Sequence, residues 1–150
     1  MIRIFITAIL YLISFFTQAQ ATSGENSQSS TDSTYNIKTV ISKMNNDKGN
    51  VYFALYSSQE DFENRRFYKT RMAKSDVNGV AVVFENVPAG VYAITCFHDA
   101  NDNQRMDFGP GGMPEEDYGM TNNVMSYGPP RFSDAKFVLS DKDLTFEIKL

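Results

Sequence analysis

Residues 98–123 read HDANDNQRMDFGPGGMPEEDYGMTNN, and most of the side chains able to do chemistry lie there. Asp99, Asn101, Asn103 and Asp107 fall at positions 1, 3, 5 and 9 of a loop, and the Arg105 carbonyl stands at position 7. Alternating oxygen donors at that spacing suit a hard cation such as calcium, which takes about six to eight oxygens. The pattern is incomplete. Position 6 is Gln104 where calcium loops turn on a glycine, and position 12 is Pro110 where they carry a bidentate Glu. Asp102, Glu115 or Glu116 would have to supply the missing ligand. The competing reading needs no metal: Asp and Asn also form Asx turns that cap their own backbone.

Other chemistries find less support. His98 is the only histidine and precedes Asp99 directly. On an extended strand, successive side chains face opposite ways, so the two do not form a His–Asp pair. Glu115 and Glu116 with Asp107 offer a carboxylate pair of the kind glycosidases use, with nothing in the sequence to set the separation. Met106, Met113, Met120 and Met125 with His98 would suit Cu(I), but their spacing is irregular and they read better as loop anchors filling gaps at the core edge. No nucleophile elbow, glycine-rich phosphate loop or paired cysteines occur. Tyr118, Tyr127 and Phe132 either line a groove for a glycan or peptide or cap the open end of the fold.

The elements that position these residues begin after two segments of other composition. Arg3 is followed by an apolar run from Ile4 to Phe16 and an Ala19-Gln20-Ala21 cleavage pattern, so residues 1–21 read as a secretory signal peptide. The apolar run is short for a bilayer span, which needs roughly 20 residues. Residues 22–34 lack any large apolar side chain and read as a disordered linker. Residues 35–150 are expected to form one domain, exported to the periplasm or the cell surface.

Composition narrows the partners. The chain carries a net charge of −4, and loss of residues 1–21 would remove Arg3 and no acid, taking it to −5. Such a surface repels phosphate backbones, so no nucleic acid is expected, and no membrane span after cleavage. The partner classes left are a glycan, a peptide or a cell-envelope protein. Cys96, the single cysteine, sits in an apolar run and reads as a buried hydrophobe.

The domain reads as short strands between turns. Tyr35–Met44 and Val51–Ser57 flank the turn NNDKGN and are expected to form a hairpin. Val80–Val87 with Gly90–Asp99, and RFSDAKFVLS with LTFEIKL, make two more expected pairs. Ser58–Ser75 offers a turn or two of helix near QEDFENRR, its basic residues forming a solvated face. In Val87-Pro88-Ala89-Gly90, Pro88 fixes φ and Gly90 is free to take positive φ. Tyr92 follows, its ring expected on the core and its hydroxyl on a backbone partner. The fold class is all-β: an antiparallel β-sandwich of about seven strands with one long irregular acidic loop. An outer-membrane barrel would need longer strands of about 9–11 residues.

The motifs PAGVYAI, HDANDNQRMD, GMPEEDYGMTNN and GPPRFSDAKF resemble those of domain-of-unknown-function family 2141, small exported bacterial proteins. The match falls on Gly90, Tyr92 and Ala93, then His98, Asp99, Asn101, Asn103 and Asp107, then Gly112, Pro114, Glu116, Gly119 and Asn122, then Pro130 and Phe132. Gln104 stands where the family commonly has glycine, and Thr121 where it has serine. The turn with its tyrosine is similar to prealbumin-like sandwiches such as the carboxypeptidase regulatory-like domains. The resemblance implies the sandwich and no activity.

The expected protein is thus a non-enzymatic binding or accessory module. Calcium is its candidate cofactor at Asp99, Asn101, Asn103 and Asp107, and His98, Glu116, Tyr118 and Asn122 are its candidate ligand-binding residues. The alternative is a small hydrolase or lyase using His98 with the loop carboxylates.

Overall fold

The computed structural model describes residues 33–124 and 129–150. The signal peptide, nearly all of the linker, Met125 and Tyr127 lie outside the described residues.

Eight strands form two sheets. The smaller joins β1 (Thr34–Ile41), β4 (Val80–Pro88) and β8 (Leu144–Glu147) in the order β4-β1-β8. The larger runs β3 (Lys69–Lys74), β2 (Asn50–Tyr56), β5 (Gly90–Asp99) and β6 (Tyr118–Met120), with β7 (Phe137–Leu139) also on β5. Two short helices, α1 (Gln59–Glu63) and α2 (Phe132–Ala135), complete the domain. Alternation sets the inner faces. In β2, Val51, Phe53 and Leu55 are buried, and they meet Ile37, Phe84, Ile94, Leu139 and Ile148 in one core. The fold is the expected all-β sandwich, and it is not a barrel.

The pairings differ from the expected ones. All three expected hairpins are split between the sheets: β1 pairs β4 while β2 pairs β5, β7 joins β5, and β8 joins β1. A run's alternation says which face is buried and nothing about its neighbour, and in a sandwich a connection can cross to the other sheet at no loss of burial. Nor is the sandwich wholly antiparallel, because β8 runs parallel to β1, Ile37 opposite Leu144.

Two segments depart from the expected strands and loops. The RFSDA stretch holds α2 rather than strand, leaving only Phe137–Leu139 extended. Residues 58–75 contain the expected helical turn, capped by the Ser58 hydroxyl accepting the Asp61 N–H at 3.1 Å, and then the unexpected β3. Lys69 and Arg71 are not merely a solvated face. Lys69 Nζ donates to the carbonyls of Glu85 and Asn86, and Arg71 Nε to that of Val83 at 2.9 Å. Cationic side chains of one edge strand thereby occupy the open backbone of the other edge, which guards both against further strand pairing.

The turn before β5 behaves as expected in one respect. Tyr92 is buried and its hydroxyl donates to the Pro88 carbonyl at 3.0 Å, as in the tyrosine corners of other sandwiches. Gly90, however, does not take positive φ; a side chain there would press on the Tyr92 ring, 3.0 Å from Cε2. The glycine makes room for the tyrosine. Positive φ falls on Asn86 instead (53°).

Candidate functional site

β5 delivers His98 and Asp99 to the end of the larger sheet, and the strand aims them apart. His98 lies on the inner side, 2 % exposed, its Nε2 2.7 Å from the Lys48 carbonyl and its backbone N–H donating to the Asp117 carbonyl. Asp99 lies on the outer side, opposite Asn50 and fully buried, because the chain beyond it folds back over its carboxylate. Asp99 Oδ1 accepts the Asn103 N–H at 3.1 Å and Oδ2 the Gln104 N–H at 2.7 Å. The expected absence of a His–Asp pair follows directly from this alternation.

The loop is a succession of Asx turns closed on Asp107. Asn101 Oδ1 accepts the Asn103 N–H, and Asn103 Oδ1 accepts the Arg105 N–H, both at 3.1 Å. The two amide groups converge on Asp107 Oδ2, each at 2.7 Å, while Arg105 Nε reaches Oδ1 at 3.3 Å. Hydrogen bonds to a carboxylate favour its charged form. Asp107 is accordingly held below the usual carboxylate range, first by the Asn101 amide, with Asn103 and Arg105 adding to it against partial desolvation. Asp102 and Gln104 both take positive φ (61° and 64°). The chain makes the left-handed turn at position 6 although the residue there is glutamine.

Glu116 closes the loop from the other half of the crossover. Its Oε2 accepts the Asp107 N–H at 3.3 Å, and the Ala100 N–H also bears on the carboxylate. Its Oε1 is buried with no hydrogen-bond partner. Desolvation pushes the Glu116 carboxyl above its ordinary range, and the Asp99 and Asp107 charges push the same way. Asp99, Asp107 and Glu116 are thus neighbours in one loop. Even so, among the described residues no three His, Cys, Asp or Glu side chains close on one point as a finished ligand set.

The turn between β1 and β2 forms the floor of this site, a role its composition does not reveal. Lys48 supplies the carbonyl for His98, and Asn50 Nδ2 donates to Asp102 Oδ1 at 2.6 Å. Gly49, at φ 62°, runs against the Asp99 carbonyl, where a Cβ would come within 1.7 Å of the oxygen. Asn45 Nδ2 holds Asp117 Oδ2 at 2.7 Å.

The remaining candidates are dispersed. Tyr118 stands on the outer face of β6, 39 % exposed, beside Phe97. Phe132 lies over Ala93 with Phe62, at 5.9 Å between their ring centres. The Asn122 amide donates to the carbonyls of Asp134 and Lys136. Its neighbour Thr121 is fully buried. The Thr121 hydroxyl accepts the Ile94 N–H at 3.2 Å and also contacts the Ala135 carbonyl, continuing the β5–β6 ladder by one side-chain rung. Only the preference for serine at that position hinted at a hydroxyl. Met120 is a buried anchor, as expected, whereas Met113 is 69 % exposed at the loop tip and anchors nothing. Met120 lies on the outer face and His98 on the inner, so these two do not converge.

Comparison with curated proteins and with solved structures gave no match. A family model described as "Uncharacterized protein conserved in bacteria (DUF2141)" matches residues 39–147, which takes in both sheets and the whole acidic crossover. The chain belongs to that family.

Proposed function

We propose that the protein is an exported, non-catalytic binding or accessory module whose acidic crossover is its working edge, with the 99–107 half braced by calcium. Export rests on the signal-peptide pattern of residues 1–21 and would bring the domain to the periplasm or the cell surface. The observation that carries the calcium reading is the buried, unpartnered Oε1 of Glu116 beside Asp99 and Asp107. A carboxylate oxygen out of water and without a donor is costly unless a cation meets it. Glu116 would supply the ligand missing at Pro110, and the positive φ of Gln104 is the turn such a loop requires. Rotating the Asn101 and Asn103 amides would exchange N–H donors for oxygens.

His98 favours the non-catalytic reading. It is buried and its Nε2 is engaged by the Lys48 carbonyl. His98→Ala is therefore expected to lower the melting temperature, whereas a catalytic histidine open to substrate would be removed without that cost.

Thermal unfolding in millimolar calcium against chelator tests the proposal. Calcium should raise the melting temperature by several degrees, and Glu116→Gln should abolish the rise. Identical melting curves in the two buffers would overturn it.

A further inference from the structure

The outer face of the larger sheet carries a row of apolar side chains that the acidic crossover does not use. Strand register sets Met72 opposite Tyr52, Tyr52 opposite Phe97, and Phe97 opposite Tyr118, one residue on each of β3, β2, β5 and β6. Directly opposed residues share a face, and this face is the solvent side, since Val51, Phe53 and Cys96 point inward. Met72 is 56 % and Tyr118 39 % exposed. Tyr52 and Phe97 stack at 5.4 Å with their planes 18° apart.

Solvent faces of antiparallel sheets are ordinarily polar, and a continuous exposed apolar row marks a contact surface. The protein covers the neighbouring part of the same face itself, where Phe62 and Phe132 pack over Ala93, Met120 and Ala135. The row is left open. On its other side lies the acidic loop, with exposed Asp102 held by Asn50 on β2.

We propose that this row, with Asp102 at its border, docks a cationic peptide segment of a partner protein. Lysine or arginine side chains lie over the rings by cation–π contact and direct their heads to the carboxylate. Charge complementarity selects this occupant. A second copy of an acidic chain with net charge −4 would bring like charge to the same border. A neutral glycan would use the rings and draw nothing from the carboxylate, while Lys74, opposite Asn50 on the same face, directs its Nζ to the Gly49 carbonyl at 2.9 Å. The inference rests on the binding-module reading and is independent of calcium.

The test is calorimetric titration of the purified chain with a short peptide of Lys, Arg and Leu. The controls are an equal-length peptide with Gln for each Lys and Arg, and a soluble glucose oligomer. Saturable binding of the cationic peptide alone is expected. Tyr118→Ala and Met72→Ala keep the charge and truncate exposed side chains, so melting should be unchanged while affinity falls roughly 5-fold each. Asp102→Asn should weaken binding and flatten its salt dependence. Val83→Ala, on the outer face of the smaller sheet, should change nothing. Cationic-peptide binding that survives Tyr118→Ala and Met72→Ala would be general attraction to an acidic surface and would overturn the proposal. So would binding of the glucose oligomer in place of the peptide, or binding of neither. Because melting with and without calcium reads the other proposal, the two can fail separately.

Discussion

Asp99 Oδ2 accepts the backbone N–H of Gln104 at 2.7 Å, and Gln104 makes that bond at a φ of 64°. The two residues depend on one another: the carboxylate rewards a backbone shape that glutamine adopts at a cost of about 1 kcal/mol.

Gln104→Gly should therefore stabilise the domain. The gain is less than the strain relieved, because glycine also loosens the unfolded chain, and about 0.5 kcal/mol is expected. Asp99→Ala should cost roughly 2 kcal/mol, since it strands the Gln104 N–H inside the loop and leaves the Asn103 N–H only its Asn101 acceptor. Urea unfolding of both variants at pH 7 checks this, and a destabilised Gln104→Gly would contradict the account.

Thr121 makes the second separable prediction. Thr121→Val keeps the shape but leaves the Ile94 N–H without its acceptor. A loss of about 1–3 kcal/mol is expected, with Thr121→Ser close to the parent. Equal stability of the serine and valine variants would show that the hydroxyl does not carry the rung.

Acid should act on Glu116 and Asp107 in opposite directions. Glu116 titrates above its unfolded value near 4.5, so its contribution to folding is full below that pH and is lost as pH rises through the folded value. Asp107 titrates below 3.8, so its contribution is present above that pH and is lost as pH falls through the folded value. In chelator, Glu116→Gln should thus gain stability relative to the parent as pH rises from about 4.5 toward 7. The stability that separates the parent from Asp107→Asn should shrink below pH 3.8. Denaturant midpoints across a pH series would expose a reversed sign in either case.

Cys96 should be chemically silent in the folded protein. Burial pushes its thiol up to about 12, partly opposed by the Gly119 backbone, and the thiolate is the reactive form. A thiol reagent at pH 7.5 should label the chain only after denaturant is added, as followed by mass shift.

The strands were legible because Val51, Phe53 and Leu55, or Leu144 and Phe146, repeat at two residues, and burial follows that period. Their partners were not legible, since β1 and β2 carry the same kind of pattern whether paired or facing across a core. Asp99 to Asp107 could be found from donor spacing alone because they act within one turn of chain. The parts of the site that came from elsewhere were less legible: Lys48, Gly49 and Asn50 looked only like a turn, and Glu116, although a candidate, had no assignable partner. Their roles exist once β2 lies beside β5. The row from Met72 to Tyr118 has the same origin, one residue from each of four strands.

The parallel contact between β1 and β8 also has a consequence in time. Ile37 to Val40 of the first strand pair with β8, and the Asn36 N–H donates to Asp143 Oδ1 at 2.7 Å. A chain emerging from the ribosome cannot finish its smaller sheet until β8 has been made. Such a wiring leaves one edge of β1 without its neighbour until the chain has grown 107 residues past Asn36.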